Sequence, residues 1–274
     1  MKKLNKGLVE LIHHKINSLT TCLELMEPGC FMASIDLSNA FHTIPMHPEL
    51  MKYLKFKVGT KIYRYLVLPM GFRDSPRLFC KILKPVLAYL RNQNLLSSVY
   101  IDDFFLLGHS TISCRHNVQT TLNTLRALGF EISDKSVLEP QQQMLHLGFI
   151  LDSINMSVSL GEDKQNHIIR LAHGVLEKTH ISVRLLSQFI GTIVTSFPAV
   201  DYGQLFYKQL ELQKIECLRL KYDYEQLIEL NAESRKEINW KGGWQGAWCM
   251  GCGIAPPKNM AATGLLLCSG FFFL

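Results

Sequence analysis

No stretch of this chain is both long and apolar enough to span a bilayer as a helix. Residues 261–274, the most apolar, fall short of the ~20 residues needed and are interrupted by Gly264 and Gly270. The opening Met-Lys-Lys-Leu-Asn-Lys-Gly is followed by no apolar stretch of secretory type. The eight cysteines follow no regular spacing, which argues against a disulfide framework and for a reducing, intracellular setting, cytoplasm or nucleus. Cys249 and Cys252 form a lone CxxC with no second pair, a chance spacing before a zinc site. Charged residues are also scarce, 19% against 47% hydrophobic, and that balance in 274 residues excludes a disordered tail. The net charge of +6 permits nucleic acid as a partner without nominating it.

There is no internal repeat or low-complexity linker, but the texture of the chain changes along its length. From about Phe31 to Leu151, short β-like runs alternate with helical ones, an α+β pattern. Residues 31–35 read as a strand, and residues 52–58 alternate basic and apolar side chains as a half-exposed strand should. Ser75 and Pro76 open a helix with Phe79, Ile82, Leu83, Val86, Leu87 and Leu90 at helical spacing, and Pro85 is expected to kink it. Val118, Leu122, Leu125 and Leu128 mark another helix, with Gly129 placed to end it. From about Glu162 to Trp240 strand signals vanish, and Ile168, Ala172 and Val175, then Leu186, Phe189, Ile193 and Phe197, predict successive amphipathic helices. Ser182 stands as an N-cap for the second of these. Residues 241–274 carry no usable periodicity.

Two adjacent carboxylates, Asp102 and Asp103, interrupt an otherwise continuous apolar stretch from Val99 to Leu107, so a hairpin tip is expected there. Aspartate is a good turn residue, which is one reading. The other is that a pair of like charges in an apolar frame repels unless a cation sits beside it. Asp36 ends a second apolar strand, although helix capping would also explain it. If the two strands are neighbours, the carboxylates converge on one sheet face and suit hard divalent ions such as Mg²⁺. Two such ions about 4 Å apart would clamp the attacking and leaving oxygens of a phosphoryl displacement. The constellation points to nucleotidyl transfer or nuclease chemistry.

Tyr100-Ile-Asp-Asp103 resembles the Tyr-x-Asp-Asp box of reverse transcriptases, and residues 36–41, Asp-Leu-Ser-Asn-Ala-Phe, resemble their first aspartate motif. Residues 68–79 resemble the family's Leu-Pro-x-Gly-x-x-x-Ser-Pro-x-x-Phe signature in the same order, residues 129–135 resemble its next motif, and residues 145–149 resemble its primer grip. The similarity spans about Thr21 to Trp240. Residues 32–37, 84–90 and 189–194 look most like the DIRS type, retrotransposons that carry a tyrosine recombinase.

The resemblance implies a right-hand polymerase palm with an antiparallel sheet, followed by an all-helical thumb or connection region. On that reading residues 1–30 are a truncated fingers remnant, 31–155 the palm with part of the fingers, 156–240 the thumb or connection, and 241–274 an unassigned tail. It further implies that Asp36 and Asp102 bind two Mg²⁺ ions, with Mn²⁺ as an alternative, helped by the Leu37 carbonyl and supported by Asp103. Phe41 would block a ribose 2′-hydroxyl, and without the motif would be read as a core phenylalanine. Met70, where glutamine is common in retroviral enzymes, Gly71 and Tyr100 would line the nucleotide site. Lys135 would neutralise or protonate pyrophosphate, or stand as a solvated surface lysine. Leu147, Gly148 and Phe149 would hold the primer end.

Template with primer, whether RNA or DNA, and dNTPs are the implied partners, and no membrane is implied. Lys52, Lys55, Lys57, Lys61 and Arg64 would follow a phosphate backbone or form a solvated strand face. The pattern departs from the family's where Asn39 and His42 replace more frequent residues and where only a short segment precedes Asp36. Lys2, Lys3, Leu4 and Asn5 look like the tail of a lost fingers motif. The function expected is therefore an RNA-directed DNA polymerase core of a retroelement, the alternative being a catalytically silent remnant that at most binds nucleic acid.

Overall fold

The computed structural model describes residue 5, residues 16–200 and residues 203–239. The chain divides into two compact units, Met1–His146 and Leu147–Leu274. Lys2, Lys3, Leu4 and the tail with Cys249 and Cys252 lie outside the described residues. No helix among the described residues is long and apolar enough to cross a membrane.

In the first unit, helix α1 (Leu19–Leu25) precedes β1 (Phe31–Ser38), whose central residues are buried on both faces. The expected strand at residues 31–35 therefore continues through Asp36. β1 lies in the middle of an antiparallel sheet with β4 (Ser97–Tyr100), β5 (Asp103–Gly108), β6 (Glu131–Ile132) and β7 (Val137–Gln141). The order is β4-β5-β1-β6, with β7 also pairing with β1. Side chains alternate across a strand, so Ala33, Ile35, Leu37, Phe104 and Leu106 share one face and Ser34, Asp36, Asp103 and Phe105 the other. The first set joins the core formed with α3 (Ser75–Arg91) and α4 (Thr111–Ala127), through Phe79, Leu83, Leu90, Val118, Leu122 and Leu125.

Local chemistry explains both helices. Pro76 occupies the first turn of α3, where an N–H would have no helical acceptor. The helix continues unbroken past Pro85, which lies on its exposed side. Ser110 and Ser113 form a reciprocal capping box at the start of α4. At its end Gly129 has φ +84°, and the Gly129 and Phe130 N–H groups donate to the Arg126 and Leu125 carbonyls. That is the two-bond Schellman closure the glycine predicts.

The short helix α2 (Pro48–Met51) leads to an exposed hairpin of β2 (Lys55–Val58) and β3 (Lys61–Arg64). The strand expected over residues 52–58 thus starts later and is exposed on both faces rather than half-exposed. Lys55, Lys57 and Arg64 share one face with Ile62, while Phe56 and Tyr63 stack on the other with ring centroids 5.6 Å apart. β8 (Gln143–His146) closes the unit with Met144 and His146 buried.

In the second unit, β9 (Phe149–Asp152) and β10 (Ser157–Leu160) form an antiparallel hairpin. They are followed by α5 (Glu162–Leu176), α6 (Val183–Val194), α7 (Lys208–Leu220) and α8 (Ala232–Ile238). Ser182 caps α6 as expected, accepting from the Leu185 N–H, and Leu186, Phe189, Ile190 and Ile193 form its buried face. This region is not purely helical, because β11 (Ile181–Ser182) pairs with β12 (Leu227–Ile228). Two-residue strands joined across such a separation leave no periodicity to read.

Candidate active site

The hairpin tip is built as the apolar frame around it requires. Tyr100 pairs with Asp103, leaving Ile101 and Asp102 as a two-residue loop. Ile101 has φ +57°, where hairpins normally place glycine or asparagine, and a β-branched residue is strained there. The strain is offset by the buried strands on either side. Asp103 is also the register partner of Asp36 on β1, so the two carboxylates share one face of neighbouring strands. Asp102 is tied in through its carbonyl, which accepts from the Leu37 N–H at 3.1 Å.

Asp36 is gripped from its other side. Its N–H donates to Ser136 Oγ at 3.0 Å, and its carbonyl accepts from the Ser133 N–H at 2.8 Å. Lys135 lies in this same Ser133–Ser136 turn, with its side chain exposed. Burial, followed by the Asp36 charge, raises the Asp102 pKa above the ordinary carboxylate value, with an opposing backbone hydrogen bond. Burial, then Asp36 and Asp102, pushes Asp103 up to about 7.

A carboxyl raised on folding contributes stability that is complete below its unfolded pKa and is lost as pH rises through its folded value. In metal-free buffer Asp103→Asn should therefore melt higher than the parent at about pH 8, and the difference should close below about pH 4. Thermal unfolding across that range checks this, and parallel curves at every pH would refute it. His146, pushed down to about 4 by burial, contributes with the opposite slope, its stability lost as pH falls through 6.5 toward 4.

The other residues singled out in the sequence are divided between the two units. Phe41 is half-buried in the 3₁₀ turn Ala40–Thr43 and packs edge-on against Phe79, with centroids 5.4 Å apart. Tyr100 is partly exposed beside Asp103, and Met70 is exposed at 62%. Gly71 has φ +77°, a conformation that explains the glycine there. In the second unit, Leu147 and Gly148 both have positive φ, and Phe149 is buried with the Lys164 ammonium 3.8 Å from its ring centroid.

Three features escaped the sequence reading. The Asn5 amide bridges the loop before α3, donating to the Gly71 carbonyl at 2.8 Å and accepting from the Arg73 N–H at 3.0 Å. Ser133 and Ser136 hold the Asp36 backbone. His146 places Nδ1 3.5 Å from Asp103 Oδ2. The available signal for His146 was a polar residue at an inward position of the alternating strand β8.

Among the described residues no three His, Cys, Asp or Glu side chains form a ready-made metal cage. The donor set nevertheless fits Mg²⁺, which usually takes one or two carboxylates and completes its shell with waters and substrate phosphates. Burial, and after it repulsion from neighbouring carboxylates, raises Asp102 and Asp103, and a divalent cation would relieve both.

Known proteins share sequence and fold with this chain. The family model described as "Reverse transcriptase (RNA-dependent DNA polymerase)" matches residues 2–151, more than half of the chain. The Gag-Pol polyprotein of avian reticuloendotheliosis virus is 29% identical over 202 residues, covering 70% of this chain and 17% of that polyprotein. That of woolly monkey sarcoma virus is 28% identical over 160 residues, covering 55% and 9%. The chain thus spans less than a fifth of the length of these relatives. The foamy viral protease–reverse transcriptase in complex with double-stranded DNA shares the fold at TM-score 0.66 and 19% identity, over 87% of this chain and 46% of that one. The same protein with an RNA/DNA hybrid matches at TM-score 0.64 and 20% identity, over 87% and 30%.

Proposed function

Because this chain belongs to the reverse transcriptase (RNA-dependent DNA polymerase) family, we propose that it is the RNA-directed DNA polymerase core of a retroelement and transfers a nucleotide from dNTP to a primer 3′-hydroxyl. The observation that carries the reading is the register of Asp36 with Asp103, with Asp102 in the turn between β4 and β5. Two Mg²⁺ ions, or Mn²⁺, held by Asp36, Asp102, Asp103 and the Leu37 carbonyl would supply activation of the 3′-hydroxyl and charge neutralisation of departing pyrophosphate.

The remaining work belongs to the chain. Ser133 and Ser136 hold the Asp36 backbone, and the hairpin holds Asp102 and Asp103, so the carboxylates need not reorganise during the reaction. Gly71 lets the backbone approach the nucleotide, with Met70 and Tyr100 beside it. Lys135 would protonate the leaving pyrophosphate, and Leu147, Gly148 and Phe149 would hold the primer end. The basic face of the β2–β3 hairpin suits a template phosphate backbone. The solved complexes with double-stranded DNA and with RNA/DNA hybrid support a template–primer duplex as the partner. The DIRS placement rests on residues 32–37, 84–90 and 189–194, and the scattered cysteines support cytoplasm or nucleus.

Primer extension on an RNA template with dNTPs and Mg²⁺ tests the proposal. Template-dependent extension is expected, and its absence with both Mg²⁺ and Mn²⁺ despite duplex binding would overturn it. Phe41 provides a finer check. If its ring blocks the ribose 2′-hydroxyl, Phe41→Ala should lower the preference for dNTP over rNTP by about 10- to 200-fold, the range a shape-selective pocket commands. Competing single-nucleotide kinetics would measure it, and an unchanged ratio would remove Phe41 from that role.

A further inference from the structure

His146 is the polar group closest in character to a second support for the catalytic carboxylates. It ends β8, its side chain is 1% exposed, and Nδ1 stands 3.5 Å from Oδ2 of Asp103, itself 27% exposed. Its ring packs against Phe105 with centroids 4.9 Å apart and planes 30° from parallel. Nε2 is buried with no hydrogen-bond partner among the described residues. A phenylalanine would fill this place and stack on Phe105 without burying a bare nitrogen, whose desolvation opposes folding. What the imidazole offers that a phenyl ring lacks is a donor facing Asp103.

We propose that His146 is a positioning residue for Asp103, presenting Nδ1–H to Oδ2 so that the carboxylate meets a divalent cation in one fixed orientation. This rests on the polymerase reading above. The separation is at the outer limit of a hydrogen bond. The Asp103 carboxylate is the acceptor facing Nδ1. A buried group that orients a metal-binding carboxylate acts as histidine-bound carboxylates do at other metal sites, where loss of the supporting partner costs about 10- to 100-fold in metal affinity or activity.

The test uses the full chain with a chain-terminated template–primer and dNTP. Mn²⁺ binding is read from the electron paramagnetic resonance signal of the free ion, and kcat and KM for dNTP come from primer extension. His146→Phe should bind Mn²⁺ about tenfold or more weakly and lose kcat with little change in KM. His146→Asn, whose amide nitrogen takes the place of Nδ1, should recover most of both. His146→Gln, which reaches toward Nε2, should not. Nitrogen NMR of histidine-labelled wild-type protein should show the proton on Nδ1, and this holds as a test even if His146→Phe fails to fold. Wild-type Mn²⁺ binding and kcat in His146→Phe, no difference between the Asn and Gln variants, or a bare Nδ1 would each overturn the proposal. Asp102→Asn separates the layers: full activity there sinks the polymerase reading, whereas an inactive Asp102→Asn beside an unaffected His146→Phe sinks only the role of His146.

Discussion

Asp36→Asn should extend a primer roughly a thousandfold more slowly than the parent, because removing several kcal/mol of transition-state charge stabilisation costs a factor of ten for each 1.36 kcal/mol. Asparagine keeps the shape of the side chain and leaves the backbone contacts of residue 36 intact, namely its N–H to Ser136 Oγ and its carbonyl to the Ser133 N–H. Only the charge and one donor oxygen are lost. The fold should survive and even gain at neutral pH, since the Asp36 charge helps hold Asp102 and Asp103 above their ordinary pKa. Duplex binding should change little, because phosphate contacts and not these carboxylates would supply it. Single-nucleotide extension, a duplex-binding titration and a melting curve together make the measurement. Activity within tenfold of the parent would show that Asp36 is a strand residue whose carboxylate has no part in the reaction.

The largest expected effect on stability is at Phe104. Its ring is fully buried, and it stands in register with Ile35 on β1 and Val99 on β4, facing the helices α3 and α4. Phe104→Ala removes the transfer free energy of the ring and leaves a cavity in a sheet face hemmed in by two helices, a change that costs about 3–5 kcal/mol. At roughly 2–4 °C per kcal/mol for a chain of this size, the melting temperature of the first unit should fall by about 6–20 °C. Urea unfolding checks the free energy and calorimetry the midpoint. A loss under about 1 kcal/mol would mean that the helices close over the gap, contrary to the close packing described. Because Phe104 precedes no metal-binding group on its own face, the same variant should keep its carboxylates if it folds. Stability and activity are thereby separable along one strand, with Asp103 and Phe104 as adjacent residues serving opposite faces.

Much of the local architecture could be read from short stretches of residues. Ser182 caps α6 and Gly129 closes α4 because the cap chemistry lies within a few positions of the helix end. The core faces of α3, α4 and α6 were visible as helical spacing of Phe79, Leu83 and Leu90, of Val118, Leu122 and Leu125, and of Leu186, Phe189 and Ile193. Where the reading erred, distant pairing was responsible. β1 continues past Ile35 because β5 and β6 supply partners as far as Ser38. β11 exists because residues 227–228 offer it an edge. The run at residues 52–58 splits into a turn, where Leu54 is buried, and a strand over Lys55–Val58 that no core covers.

The active site divides along the same line. The residue types and their order along the chain, Asp36, then Leu68-Pro-Met-Gly71, then Tyr100-Ile-Asp-Asp103, are written in one dimension and were enough to indicate the chemistry. Three arrangements were not written there: the register that sets Asp36 opposite Asp103, the left-handed backbone of Ile101, and the approach of His146 Nδ1 to Asp103 Oδ2. Capping and periodicity act over one or two turns of chain and leave a mark in neighbouring residues. Strand register and buried polar contacts are settled by the simultaneous burial of side chains far apart in sequence, so only the folded chain selects them.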